Sequence, residues 1–506
     1  MNSRTMKTKL EVTMKTKLEV LFVAQESAYP QMGVLYLADA LRKRGFDSTI
    51  ATTDITTAEF DRLIQEIQPA VVGMSVLTAP QVIDFERLSL FLKQKYPNIK
   101  IVWGGVHPTI LTEQCMQAKF IDYVFVGQGE AVFPMLVKDI LDGSNRFGRL
   151  VEGYSPNDLD SFQPAWDKIT KLSTFLFSEK HSIRSPKSRI IKNANIYENQ
   201  MGEFDCPDQS PLNSEVSKKT TSQIEKWDVG LYELEKTIFY YLLTSRGCPY
   251  KCTFCSEPLQ KMNGSKEGNF LWNAHSLEWV KRQIETIRER LDSEGETLDG
   301  IGLWDDMFWV KYKMKSRAFD ILDLLASEKL VYLIEARADQ LLSGDHALFS
   351  KLAETNCAQV FIGAESASQT TLDQIKKGTK VKSYYRLIEI ANKVKVPLRM
   401  SFIVGFPEES ENSVNKTLDF CEAAEKGKYG EFVNISGPKI FTPYPGTIEF
   451  ERAVQNGFRS PSSHVAWGSI HRSTEDYLDC FPWFKKYSPD TISRLASYFG
   501  KGYKSL

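Results

Sequence analysis

Thr244-Ser-Arg-Gly-Cys-Pro-Tyr-Lys-Cys-Thr-Phe-Cys-Ser-Glu-Pro258 carries three cysteines, Cys248, Cys252 and Cys255, in the spacing C-x3-C-x2-C. Three thiolates this close can wrap one iron–sulfur cube without closing it, because a [4Fe–4S] cluster normally takes four. One iron then stays open to a small molecule. Zinc is the rival: a structural zinc site wants a fourth Cys or His and commonly uses two C-x2-C pairs, and the chain has no second pair. Three incidental thiols are the third reading, against which stands the crowding of three of the chain's eight cysteines into one loop. Ahead of the loop, Thr237-Ile-Phe-Tyr-Tyr-Leu-Leu-Thr244 is apolar, aromatic and β-branched, which predicts a strand.

Outward from this loop, strands and helices alternate through residues 237–450. Helices are predicted at Leu277–Leu291, Lys313–Glu328, Asp345–Thr355 and Ser413–Glu425. Strands are predicted at Leu298–Trp304, Val331–Ala336, Gln359–Gly363, Pro397–Val404 and Phe432–Ile440. Six strand–helix units suggest a partial (β/α)6 barrel with its chemistry at the strands' carboxyl ends. Polar residues stand there: Asp305 and Asp306, Glu335 and Arg337, Glu365, Ser401 through Gly405, and Thr442 through Thr447.

Residues 17–150 read as a separate α/β unit. Strands are predicted at Leu18–Ala24, Ala70–Ser75, Ile99–Trp103 and Tyr123–Val126, and helices at Gly33–Gly45, Ala58–Ile67, Val82–Lys95 and Ala131–Leu141. Continuous apolar strands alternating with helices imply a parallel, doubly wound (Rossmann-like) sheet, which binds ligands beyond its strands' carboxyl ends. Residues 151–236 form a linker. Its segment 179–226, rich in Lys, Ser, Asn, Glu and Gln, is expected to be mobile or to wrap the surface. Residues 451–506, rich in aromatics from Trp467 to Tyr487, read as a small, mainly helical region packed on the barrel.

Composition narrows the function classes. With 506 residues, two or three domains are expected. An apolar fraction of 42% and a charged fraction of 25% are those of a globular protein. The net charge of −1 offers no basic field to a nucleic acid. No apolar run approaches the ~20 residues of a membrane helix. No signal peptide is visible, and the cysteines suit a reducing compartment, so the expected location is cytoplasmic. Met6–Val12 recurs as Met14–Val20, which makes residues 1–16 an extension and leaves the start at Met1 or Met14.

The cysteine loop resembles that of the radical S-adenosylmethionine (SAM) enzymes, and Phe254 matches the aromatic before their last cysteine. The resemblance implies a [4Fe–4S] cluster on Cys248, Cys252 and Cys255 that binds and cleaves SAM, and an electron donor such as flavodoxin or ferredoxin. It also implies SAM contacts at Phe254, Asp305, Asp306, Arg337, Glu365, Ser401 and Gly405. Asp305-Asp306 stands where the family's G-G-E is expected, and Ser401 replaces the first Gly of its G-x-I-x-G-x-x-E motif.

The first domain resembles cobalamin-binding domains. Forty-one residues separate Gly33 from Ser75-Val-Leu77, and 26 more lead to Gly104-Gly105, as in the pattern D-x-H-x-x-G, S-x-L, G-G. Gly104-Gly-Val-His-Pro108 and Gly127-Gln-Gly-Glu130 match further loops of the cobalamin-binding radical SAM branch. The implied cobalamin residues are Tyr29, Gln31, Gly33, Ser75, Leu77, Thr78, Gly104, Gly105, His107, Gly127, Gly129 and Glu130. Small residues at strand ends let the cofactor's tail slide between strand and helix. Ala28 and Pro30 stand where the Asp and His belong; proline cannot ligate cobalt, so the cofactor is expected base-off, without a histidine ligand. A generic flavodoxin-like domain is the alternative. His107 fits either a cofactor contact or a satisfied structural histidine.

Together these resemblances imply a cobalamin-dependent radical SAM methyltransferase. A methyl group passes from methylcobalamin to an unactivated carbon of a small-molecule or natural-product substrate, by way of a 5′-deoxyadenosyl radical. An oxidative cyclase or rearrangement enzyme with the same cofactors is the second reading. A cobalamin sensor is the non-enzymatic one, and it leaves the cysteine triad unexplained. An RNA methylthiotransferase is disfavoured, since its first domain carries a second cysteine triad and residues 1–150 hold only Cys115.

Overall fold

A computed structural model describes residues 19–25, 31–78, 80–156, 158–168, 173–177, 235–256, 272–310, 315–342, 347–470 and 480–502. The first domain runs β1 (Glu19–Ala24), α1 (Met32–Arg42), β2 (Asp47–Thr52), α2 (Thr57–Ile67), β3 (Val71–Ser75), α3 (Val82–Lys95), β4 (Lys100–Gly104), α4 (Val106–Ile110), α5 (Thr112–Gln117), β5 (Tyr123–Val126), α6 (Phe133–Asp142) and β6 (Leu150–Glu152). The strands pair in the order β2-β1-β3-β4-β5-β6, all parallel. Each central strand is buried on both faces, which is why it reads as an unbroken apolar run. Leu21, Val23, Val72, Met74, Ile101 and Trp103 pack towards α2 and α3. On the opposite face Val20, Phe22, Val71, Val102 and Phe125 pack towards α1 and α6. α2 starts where Thr56 and Glu59 form a reciprocal capping box: Glu59 N donates to Thr56 Oγ1 at 3.2 Å and Thr56 N to Glu59 Oε2 at 3.0 Å.

The edge strands β2 and β6 are not evident in the sequence. β2, Asp-Ser-Thr-Ile-Ala-Thr, has one exposed and three half-buried residues among its six, so it lacks the apolar run that marks a central strand.

The second domain adds β7 (Ser173–Phe177), β8 (Glu235–Leu242), the short pair β9 (Ser245–Arg246) and β10 (Asn273–Ala274), α7 (Leu277–Ser293), β11 (Gly300–Leu303), α8 (Lys315–Ser327), β12 (Val331–Ala336), α9 (Ala338–Leu341), α10 (Ala347–Glu354), β13 (Cys357–Glu365), α11 (Gln369–Gln374), α12 (Val381–Val394), β14 (Leu398–Val404), α13 (Glu411–Glu425) and β15 (Val433–Ile440). Six parallel strands, in the order β15-β14-β13-β12-β11-β8, form the open barrel expected from the sequence. β7 extends it antiparallel to β8, so part of the stretch read as linker is a barrel edge. The polar segment 179–226 lies outside the described residues.

The C-terminal region comprises α14 (Ile448–Gln455), α15 (His464–Ser469), a 3-10 turn at Pro482–Lys486 and α16 (Pro489–Gly502). It does not pack on the barrel alone. α15 lies on α3 of the first domain, where a Cβ at Gly468 would come within 2.8 Å of Ile83. Trp467 of α15, Trp483, Phe484 and Tyr487 all belong to the barrel core. That core also takes in Met32, Leu35 and Tyr36 of α1, and Trp166, whose Nε1 donates to Gln283 Oε1 at 2.9 Å. Among the described residues no helix is long and apolar enough to cross a membrane.

Candidate active site

The cysteine loop leaves the carboxyl end of β8 and is pinned at both ends. Asp305, at the end of β11, accepts from Thr244 N and Thr244 Oγ1 at 2.5 Å each and from Ser245 N at 2.8 Å. Arg317 of α8 donates to Thr244 O at 2.5 Å and His275 O at 2.6 Å. Asp306 Oδ2 accepts from Gly247 N at 2.8 Å. At the far end Thr253 N donates to Ile375 O, and Thr253 Oγ1 to Glu449 Oε1 at 2.7 Å. Burial pushes the Asp305 carboxyl up to about 6 against the pull of these donors. Asp305, expected at SAM, is fully buried with both carboxylate oxygens on the loop, whereas Asp306 is exposed and holds Gly247 through Oδ2.

Cys248, Cys252 and Cys255 stand half-buried between these anchors, none of them in a disulfide. Arg337, at the end of β12, places Nη1 3.7 Å from Cys252 Sγ and its guanidinium 3.6 Å from the centre of the Tyr250 ring. Its Nε pairs with Asp339 at 3.0 Å. Three sulfur donors beside a fixed cation suit an anionic thiolate-ligated cluster.

Beside the loop, Glu365 ends β13 in the left-handed region, φ +64°, and binds Lys377 Nζ at 2.7 Å. A non-glycine residue held there marks local strain. Lys377 is buried with its Nζ 6.0 Å from the Phe254 ring centre, and Phe254 meets Phe406 edge-on at 5.9 Å. Sequence reasoning missed Lys377, because a lysine in Lys376-Lys377-Gly-Thr reads as solvated. Ser401 sits half-buried in β14, in register with Gly363 and Ser436.

Gly405 turns at φ +82°, with its N–H on Glu409 Oε2 at 2.7 Å and its carbonyl accepting from Trp483 Nε1 at 2.8 Å. Burial pushes Glu409 up to about 7, opposed by the Gly405, Thr371 and Phe406 donors. A Cβ at Gly405 would stand 2.4 Å from the buried Phe484 ring. Gly405→Ala is therefore expected to destabilise the fold by about 1–3 kcal/mol, read as a lowered Tm; an unchanged Tm would show that the turn relaxes around Phe484.

In the first domain, Ala24, Ser75 and Gly104 stand in one register row at the carboxyl ends of β1, β3 and β4. The strand order reverses between β1 and β3, the switch point at which such sheets bind ligands. A Cβ on Gly33 would meet open space, and one on Gly104 only Phe125 at 3.7 Å. Gly105 is more constrained: φ +94°, with a Cβ 3.0 Å from Val76 O. Gly127 is left-handed at φ +79°, and a Cβ at Gly129 would be 2.8 Å from Leu37. Gln31 precedes α1 half-buried; Leu77 is half-buried and Thr78 buried. Tyr29 lies outside the described residues. Open space beside Gly33, with the small residues Ala24, Ser75 and Gly104 along the strands' carboxyl ends, fits a large flat cofactor.

His107 and Glu130 both have partners within the protein. His107 is fully buried, with Nδ1 3.1 Å from Thr78 Oγ1 and Nε2 2.9 Å from His464 Nδ1. Both ring nitrogens are occupied, which leaves none for a cofactor. Cys115 Sγ lies within 4.8 Å of both histidines' donor atoms. The 2.9 Å nitrogen pair is nevertheless shorter than the ~3.3 Å that two ligands of a tetrahedral zinc would keep, so the trio reads as hydrogen-bonded packing. Burial pushes His107 down to about 3, helped by His464, and pushes His464 down to about 4.

The pair's stabilisation is full above the unfolded value near 6.5 and is lost as the pH falls towards the folded values. Between pH 7 and 5 the loss should be about 2 kcal/mol or more. A Tm that falls on acidification, less steeply in His464→Leu, is the expected outcome; equal slopes would contradict it.

The B12 binding domain family matches residues 19–137, and the radical SAM superfamily matches residues 242–421. The chain carries a B12-binding domain followed by a radical SAM domain. An uncharacterized methyltransferase of Pyrococcus horikoshii is 27% identical over 431 residues, 84% of this chain and 79% of that one. The anaerobic magnesium-protoporphyrin IX monomethyl ester cyclase of Rubrivivax gelatinosus is 22% identical over 84% of this chain and 66% of its own. The radical SAM methyltransferase TsrM of Kitasatospora setae, solved with tryptophan and a SAM analogue, shares the fold. Its TM-score is 0.59 at 16% identity, over 94% of this chain and 89% of that one.

The B12-binding domain and the radical SAM domain meet beside the cysteine loop. Arg246, two residues before Cys248, binds Glu130 Oε1 at 2.7 Å and Gln128 Oε1 at 2.9 Å, both in the loop after β5. Glu130, expected at cobalamin, is buried on this arginine.

Proposed function

We propose that the chain is a cobalamin-dependent radical SAM methyltransferase acting on an unactivated carbon of a small molecule. The observation that carries the reading is the direct contact between the cysteine loop and the carboxyl-end loops of the first sheet. When bound, the cluster supplies reductive cleavage of SAM to a 5′-deoxyadenosyl radical, and the cobalamin supplies a transferable methyl group.

The chain's own residues bind, orient and exclude water. Cys248, Cys252 and Cys255 hold the cluster. Arg337 and Lys377 bring fixed positive charge beside it, where a carboxylate of SAM would be recognised. The half-buried Phe254, backed by Phe406, offers an apolar face to the adenine, the half-buried Ser401 stands on the nucleoside side, and Gly405 shapes the turn after β14. Gln31, Gly33, Ser75, Leu77, Thr78, Gly104, Gly105, Gly127 and Gly129 form the corrinoid face. The base-off state is supported by Pro30 in the ligand position and by His107 having both nitrogens engaged. A small iron–sulfur or flavin protein of the cytoplasm, a ferredoxin or flavodoxin, is the proposed electron donor.

Anaerobic reconstitution with iron, sulfide and cobalamin tests this assignment. About four irons per chain, absorbance near ~410 nm, and a cob(II)alamin paramagnetic resonance spectrum without axial nitrogen splitting are expected. A chain that binds cobalamin but no cluster would be a sensor instead. Oxidative cyclisation stands second, favoured by the likeness to the Rubrivivax cyclase.

A further inference from the structure

The Arg246–Glu130 pair has no part in holding either cofactor as assigned above, yet it is one of the most buried charge pairs among the described residues. The side chains are 11% and 6% exposed. The Arg246 side chain reaches into the first domain, to Glu130 at 2.7 Å, Gln128 at 2.9 Å, and the Tyr36 ring of α1, 4.5 Å from the guanidinium carbon. Its backbone belongs to the second.

Both anchors are stiff. Arg246 lies in β9, which pairs with β10, directly after Ser245, whose N–H is held by Asp305. Cys248 follows after one glycine, so the arginine moves only with the cluster loop. On the other side, Gly129 O accepts from Val132 N and Phe133 N at the start of α6, and Gly129 is packed against Leu37. Glu130 therefore moves only with the corrinoid-face loop.

A buried ion pair is weak as a source of stability, because desolvation offsets much of its attraction. What it provides is a fixed distance and orientation, since an unpaired charge in the interior is strongly disfavoured. We propose that Arg246 and Glu130 are positioning residues that set the cluster loop against the cobalamin-side loop and so fix the separation of the two cofactors. The inference rests on the function proposed above. Geometry of this kind matters because a displacement of about 1 Å can cost roughly a hundredfold in rate.

The test uses the full chain reconstituted with cluster and cobalamin. The dipolar interaction between cob(II)alamin and the reduced cluster is read by paramagnetic resonance in the native protein, Glu130→Gln and Glu130→Ala. Expected are native occupancies of both cofactors with a single sharp native interaction that broadens into a distribution in the variants, more in Ala than in Gln. An unchanged interaction would overturn the proposal. So would loss of cobalamin alone, which would make Glu130 a cofactor ligand, or loss of folding in both variants, which would make the pair a folding element. If native protein binds only one cofactor, the proposed function fails, and the pair is then judged by hydrogen exchange. Joint deprotection of 127–130 and 245–256 in Glu130→Gln supports the coupling; deprotection of neither, or of one segment alone, refutes it.

Discussion

Alanine at Cys248, Cys252 or Cys255 is expected to abolish cluster assembly and SAM cleavage together. Three thiolates are already the smallest set that leaves one iron open, and the loop holds no fourth cysteine to replace one of them. Iron and sulfide should fall from about four of each per chain to background in every single variant. The fold should survive, because the loop is held by Asp305, Arg317 and Glu449 rather than by the sulfurs. Serine at the buried Cys115 or Cys421 should keep the cluster and cost only packing. Full iron content with undiminished SAM cleavage in any of the three alanine variants would reject the assignment.

Gly105→Leu is expected to eliminate cobalamin binding and spare the cluster. Position 105 combines a left-handed backbone with backbone atoms of Val76 at 3.0 and 3.1 Å from any Cβ, so a side chain must move the β3 and β4 loops that shape the corrinoid face. Gly104 separates the steric effect from the strain. Its Cβ position is in ordinary contact with Phe125, so Gly104→Ala should fold normally, and only a longer side chain such as Gly104→Leu should occlude the cofactor. Equilibrium dialysis against cobalamin, with iron analysis on the same samples, measures both. Native cobalamin occupancy in Gly105→Leu would remove this edge of the sheet from the binding site.

The architecture was legible where physics writes into short stretches of sequence. Strands buried on two faces appear as apolar runs, so β1, β3, β4, β5 and the barrel strands were evident, and α3 and β12 fell on their expected bounds. The edge strands β2 and β6 carry no such run and were missed for that reason, while β7, with Phe175-Leu-Phe177, is apolar but short and lies inside the stretch read as linker. The helix α12, though strongly amphipathic, lies between two strands whose prediction left it unassigned.

Among site residues, the cysteine triad is local and could be read directly. The roles of Asp305, Asp306, His107 and Glu130 are set by partners far away in sequence. Asp305 meets Thr244 across 61 positions, and His107 meets His464 across 357. A motif places such residues near a site without saying which way their polar atoms are spent. Lys377 is the converse: nothing local marks it, and only the fold buries it against Glu365. The C-terminal region was expected on the barrel because its aromatics signal burial but not the surface that receives them. α15 bridges the two, lying on α3 of the first domain while its Trp467 joins Trp483, Phe484 and Tyr487 in the barrel core.

Methyl transfer itself is tested most directly by following the methyl group. The reconstituted chain is supplied with SAM labelled in its methyl carbon, a reductant and candidate substrates, and all SAM-derived products are quantified. The account predicts S-adenosylhomocysteine and 5′-deoxyadenosine in comparable amounts for each product formed, with the label in the product. Product accompanied by 5′-deoxyadenosine but by neither label nor S-adenosylhomocysteine would contradict it, and would leave the same cofactor sites serving a cyclisation.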